Sequence, residues 1–138
     1  MSEFTTIKNN DDLQKFFSEV GYLHDSMIRQ CTIQSIGYVD DDFLMYGDAE
    51  PFNVKIFIQS QFSESPCIEI HLFRVYKLLI KDVSISDSCG KIEGQKIIMS
   101  FSCSDEEQLI HRNDYDVIAE EMKYRILDKS FLGKKLML

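Results

Sequence analysis

Lysine and arginine are scarce in this chain. There are 15 of them against 23 aspartates and glutamates over 138 residues, giving a formal net charge of −8 and an isoelectric point near 4.8. Such a chain repels phosphate backbones, and no basic stripe with interleaved aromatics offsets the repulsion, so nucleic-acid binding is disfavoured. Long apolar runs are missing as well. Stretches such as Leu78-Leu79-Ile80 fall far short of the roughly 20 residues that span a bilayer. The start, Met1-Ser2-Glu3-Phe4, lacks the basic residues and apolar block of a secretion signal. These absences predict a soluble, cytoplasmic protein with no membrane partner.

Metal and nucleophile chemistry has little to draw on. The only histidines are His24, His71 and His111, and the four cysteines, Cys31, Cys67, Cys89 and Cys103, are 36, 22 and 14 residues apart, without a Cys-x-x-Cys. No zinc pattern, and so no metal site or cofactor, is expected. There is also no Gly-x-Gly-x-x-Gly, P-loop, Gly-x-Ser-x-Gly or His-Glu-x-x-His. Cys67 and His71, four apart on a strand, would stand about 13 Å from each other, too far to act as a nucleophile and its base. No residue is assigned a catalytic role on this evidence. Linkers, repeats and low-complexity tracts are absent too, so residues 1–138 read as one domain.

What the chain does have is material for a core: 44% of its residues are hydrophobic and 12% aromatic. Leu13, Phe16, Phe17 and Val20 recur at helical spacing, with Asn10 or Asp11 as the N-terminal cap and Gly21 just past the end. Beyond Gly21 the period falls to two. Phe52, Val54, Ile56 and Ile58 alternate with polar residues, as do Ile97, Met99, Phe101 and Cys103. Cys67 to Ile80 begins as an alternating strand and becomes apolar on both sides, which suits a central position in a sheet. In Met27 to Val39 the apolar parity changes between Cys31/Ile33 and Ile36/Tyr38, and a bulge near Gln34-Ser35 would reconcile the halves. The run Asp82 to Gly90 reads as an edge strand or irregular connection. Tyr115 to Leu127 fits a helix on its Tyr115, Ala119, Met122 and Ile126 spacing, or a strand bulged at Glu120-Glu121, and the strand is preferred. The fold expected is α+β, an N-terminal helix packed on a mostly antiparallel sheet of five or more strands. So little helix cannot cover such a sheet, which makes a homodimer plausible.

Two places could carry function. Between Asp40 and Glu50 lie five carboxylates, Asp40, Asp41, Asp42, Asp48 and Glu50, with no Lys or Arg. A calcium loop counted from Asp40 has Leu44, Met45 and Phe52 at its fifth, sixth and twelfth positions, so that template fails. The run reads either as a solvated loop or as a surface that meets a basic protein partner. In favour of the second, residues 1–70 hold 12 acidic and 4 basic side chains while residues 71–138 hold 11 of each, so the excess charge lies in the first half. It would be concentrated further if the loop shared a face with Asp11, Asp12 and Glu19. The other place is His24, Asp25 and Ser26, where the helix gives way to the first long strand. Adjacent His and Asp can position a proton or an ion, but on a strand they point to opposite faces, so they converge only in a turn. The alternative is structural, with His24 closing over the core and Asp25 or Ser26 accepting backbone amides.

A short helix, then Leu23-His24-Asp25-Ser26 leading into a strand, then Ile68-Glu69-Ile70-His71-Leu72-Phe73, resembles a loose group of small bacterial α+β families, several of them placed among immunity proteins that bind and neutralise secreted toxins. The resemblance covers about two thirds of the chain. It implies a cytoplasmic binding protein with no catalytic residues to carry over, and it does not extend to the C-terminal segment. The leading expectation is thus a non-enzymatic binding protein, immunity-like by that resemblance, with an acidic surface for a basic partner. The alternative is a small enzyme or ligand-binding domain with a pocket around His24 and Asp25.

Overall fold

The structure, a computed structural model, describes residues 3–47, 51–102 and 115–133. It contains β1 (Thr5–Thr6), α1 (Asn10–Glu19), β2 (Ser26–Ser35), β3 (Tyr38–Val39), β4 (Met45–Tyr46), β5 (Phe52–Ser60), β6 (Cys67–Leu78), β7 (Ser84–Ile85), β8 (Cys89–Glu93), β9 (Lys96–Ser100) and β10 (Val117–Leu127). Eight strands form one curled sheet in the order β7-β2-β5-β6-β10-β9-β8, with β1 added beside β10, and every strand pair in it is antiparallel. β3 and β4 pair only with each other. Five or more strands were expected, and the sheet has eight.

Alternation assigns the faces. Val54, Ile56 and Ile58 of β5, Ile68, Ile70 and Leu72 of β6, Ile97 and Met99 of β9 and Met122 and Tyr124 of β10 are buried in one cluster with Leu13, Phe16 and Phe17 of α1. The helix lies on that inner face because its three-and-four spacing gathers these three side chains on one side. Its cap is Asn9, whose side chain accepts from the Asp12 N–H at 2.8 Å, and not Asn10 or Asp11. Asn10 sits in the first turn, where its amide oxygen accepts from Gln14 and from the backbone of Ile92 on β8. Gly21 has φ +61° and opens a short turn, Gly21–Leu23, that follows the helix.

Tyr115 to Leu127 resolves as strand, from Val117 onward. Val117 and Ala119 face inward, then Met122 and Tyr124 do, and the change falls at Glu120-Glu121. β6 changes parity at the neighbouring rung: Leu72 is inward, Arg74 has φ +56°, and Val75 is inward again. Arg74 Nε is 3.1 Å from Glu120 Oε2, so the two extra residues meet across the strands. This explains why the second half of β6 looks apolar on both sides. β6 lies at the centre of the strand order, as its composition suggested.

The irregularity in β2 is misplaced by sequence reasoning. The register against β5 shifts at Arg29, between Ile28 and Gln30, and Cys31 and Ile33 are then in phase with Ile56 and Val54. Ile36 and Tyr38 differ in parity because the chain has left the sheet after Ser35. Asp82 to Gly90 resolves into the two-residue edge strand β7 and the start of β8.

One side-chain bond ties the helix end to the sheet. The Tyr124 hydroxyl donates to Glu19 Oε2 at 3.0 Å, and burial, reinforced by that carboxylate, pushes the phenol from its ordinary 10 up to about 12. The fold therefore favours the neutral phenol, so this contribution is complete below pH 10 and is lost as pH rises towards 12. Melting temperatures measured across that range should fall more steeply for the parent than for Tyr124→Phe. Parallel curves would mean that the phenol is not coupled to folding.

Candidate functional site

Three left-handed backbone choices, interrupted only by the extended His24, shape the region after the helix. Tyr22, Leu23 and Asp25 all adopt left-handed φ near +55°, a conformation that non-glycine residues adopt only where the surroundings hold them. This turn brings the His24 and Asp25 side chains together, Nε2 to Oδ2 at 3.2 Å, which a strand could not do. The other ring nitrogen, Nδ1, is 2.6 Å from the Ser86 carbonyl and 3.2 Å from Asp87 Oδ1. The ring is 60% exposed, so His24 does not close over the core. Ser26, by contrast, is buried as the first residue of β2.

An open groove of about 550 Å³ runs beside this turn, with Asp25, Ser26, Gln59, Asp82 and Ser84 among its walls. The His24 ring is not part of the lining. The Ser86 carbonyl, and after it the Asp25 and Asp87 carboxylates, raise the imidazole pKa above its ordinary 6.5. The ring is therefore protonated over more of the range near neutrality, which reduces its capacity as a base. It holds the start of β2 against the β7–β8 connection. Burial raises the Cys31 and Cys67 thiols above their ordinary range, which leaves them poor nucleophiles.

The acidic run is built differently. β3 and β4 form a two-stranded arm between Ser35 and Gly47, with Tyr38 opposite Tyr46 and Val39 opposite Met45. The arm closes tightly at its base, where a Cβ on Gly37 would lie 2.6 Å from the Tyr46 carbonyl oxygen. At its tip the Asp40 carboxylate accepts from the N–H groups of Asp42 (2.9 Å) and Leu44 (3.0 Å). Those amides, Leu44 first, hold its pKa below the ordinary carboxylate value. Asp40, Asp41 and Asp42 can bring oxygens within 4.8 Å of one another, but the Asp40 Oδ1 already closes the turn. Asp48 and Glu50 lie outside the described residues.

The apolar residues of the arm were not anticipated as a feature. Ile36, Tyr38, Val39, Phe43, Leu44, Met45 and Tyr46 are all exposed, Phe43 to 89%. The Tyr38 and Tyr46 rings stack at 5.1 Å. The available signal was density: seven of the eleven residues from Ile36 to Tyr46 are large and apolar, and they follow no single period. The helix that carries Asp11, Asp12 and Glu19 bonds to β8, while the arm follows β2.

A third cluster lies on the outer sheet face. Glu69 bridges His71 (2.7 Å) and Arg125 (3.1 Å), and Phe4 packs edge-on against His71 with Arg125 and Lys123 over its ring. Burial pushes the Glu69 pKa up, but the hydrogen bonds from His71 and Arg125 outweigh it and leave it lowered. These charges compensate one another beneath Phe4 and form a cover for the helix-free face. Among the described residues, no helix is long and apolar enough to cross a membrane. No protein-family model matches the chain, and neither a curated protein nor a solved structure shows significant similarity to it.

Proposed function

We propose that this chain is a non-enzymatic protein-binding module whose β3–β4 arm docks in an apolar groove rimmed by basic residues on its partner. The observation that carries this reading is the arm itself: seven large apolar side chains exposed beside the carboxylates of Asp40, Asp41 and Asp42. Contiguous exposed apolar surface of this kind marks interaction sites, and the adjacent negative charge speeds encounter with a basic surface and selects for it. A role like that of the bacterial immunity proteins, neutralising a basic toxin, fits this chemistry.

A photo-crosslinking residue at Phe43 should capture the partner in the native cell. With the purified pair, raising salt from about 0.05 to about 0.5 M should weaken binding at least about tenfold. The combined Asp40→Asn, Asp41→Asn and Asp42→Asn substitutions should weaken it similarly. Asn retains the oxygen that closes the tip, so a loss would report on charge. Binding that is indifferent to both salt and the triple substitution would refute the acidic-tip reading.

A further inference from the structure

The two long edges of the sheet are finished differently. At the β8 edge, α1 satisfies the outward backbone groups: Gln14 donates to the Gly90 carbonyl at 2.9 Å, and Asn10 accepts from the Ile92 N–H at 3.3 Å. At the other edge, β7 pairs with β2 only at Ser26 and Met27, and the Ile28 N–H donates to the Val83 carbonyl at 2.8 Å. From Arg29 to Ser35 no strand among the described residues pairs with β2 on the side away from β5. Ile28 points its N–H to that side and one residue is added at Arg29, so alternation turns the backbone groups of Cys31, Ile33 and Ser35 outward.

Proteins protect such edges with lysine, proline, bulges or a covering segment. Gln30-Cys31-Thr32-Ile33-Gln34-Ser35 contains no charge, no proline and no glycine, and its bulge lies before it. Ile33 is 60% exposed. We infer that this edge pairs antiparallel with the same edge of a second copy, about a two-fold axis, to join two sheets into one.

Local charge complementarity, rather than net charge, favours a second copy. Two molecules of net charge −8 repel, and an uncharged six-residue edge is where they approach at least cost. An antiparallel ladder places Arg29 of each copy beside the end from which the other's arm, with Asp40, Asp41 and Asp42, departs. Arg29 has no ion pair among the described residues, so it is available to meet that charge. The same operation satisfies both edges at once, as an isologous contact must. The two arms then leave the dimer at opposite ends. This inference does not depend on what the arm binds.

Sedimentation equilibrium on the full chain at about 100 µM should give twice the 16.1 kDa chain mass. Ile33→Pro removes an outward N–H, and Ile33→Lys sets like charges near the axis, so each should weaken dimerisation at least about tenfold. Phe43→Ser should leave the dimer intact. Amide exchange at Cys31, Ile33 and Ser35 should slow as protein concentration rises. A monomer at every concentration would overturn the inference, as would a dimer unchanged in Ile33→Lys. Loss of the dimer in Phe43→Ser would place the contact on the arm instead. Amide protection independent of concentration would mean that the chain covers its own edge.

Discussion

The Phe16→Ala variant is expected to lose about 3–5 kcal/mol of folding stability, a large part of the roughly 5–15 kcal/mol typical of a domain. Phe16 is fully buried and packs edge-to-face against Phe17 at 5.1 Å and Tyr124 at 4.6 Å, so it joins helix to sheet at a single ring. Truncation removes that apolar contact and leaves a cavity, and the curled sheet beneath restricts how far the helix can settle into it. Because α1 also satisfies the β8 edge through Asn10 and Gln14, the loss should extend to the exchange protection of β8. Urea unfolding followed by circular dichroism suits a chain without tryptophan. Phe16→Leu should recover most of the loss by keeping most of the volume. A change below about 1 kcal/mol for Phe16→Ala would mean that the helix is not seated as described.

Paired Phe43→Ser and Met45→Ser substitutions should have the opposite signature. Phe43 and Met45 are 89% and 68% exposed, and the arm's strands pair only with each other. Stability should therefore stay within about 0.5 kcal/mol of the parent. Partner affinity should fall at least about a hundredfold, because buried aromatic and Met anchors at interface centres carry a disproportionate share of binding energy. Affinity unchanged by the pair would reduce the arm to a surface ornament and leave the proposed function without its principal support. Measuring both quantities on one preparation separates recognition from folding.

Much of the sheet was legible in the sequence because a two-residue period has one physical meaning where one face is buried. β5 reads directly from Val54, Ile56 and Ile58, and the start of β6 from Ile68, Ile70 and Leu72. Legibility failed where the chain changed phase. The parity break after Ile33 looked like a bulge inside one strand, whereas the chain leaves the sheet at Ser35 and begins an arm with its own register. The true bulge at Arg29 has no marker, since neither glycine nor proline stands there. The acidic run was visible, but Ile36, Tyr38 and Val39 were credited to the preceding strand and Phe43 to Tyr46 passed without comment inside the loop, because composition does not say which apolar residues find partners. At His24 the obstacle was conformational: left-handed φ at Tyr22, Leu23 and Asp25 runs against local preference and is imposed by tertiary context.

The facing irregularities of β6 and β10 set a rule for how this chain can change length. Deleting Arg74 alone would rotate Val75 and its successors out of the core, and deleting Glu120 alone would do the same to one side of β10, because a one-residue slip exchanges the faces of a strand. Removing both together would restore alternation across this rung, from Leu72 to Val75 and from Ala119 to Met122, and would leave the separate register shift at Tyr76 in place. Two positions 46 residues apart in sequence, joined by an ion pair at 3.1 Å, are therefore tied in descent: relatives of this chain should either keep both insertions or have lost both.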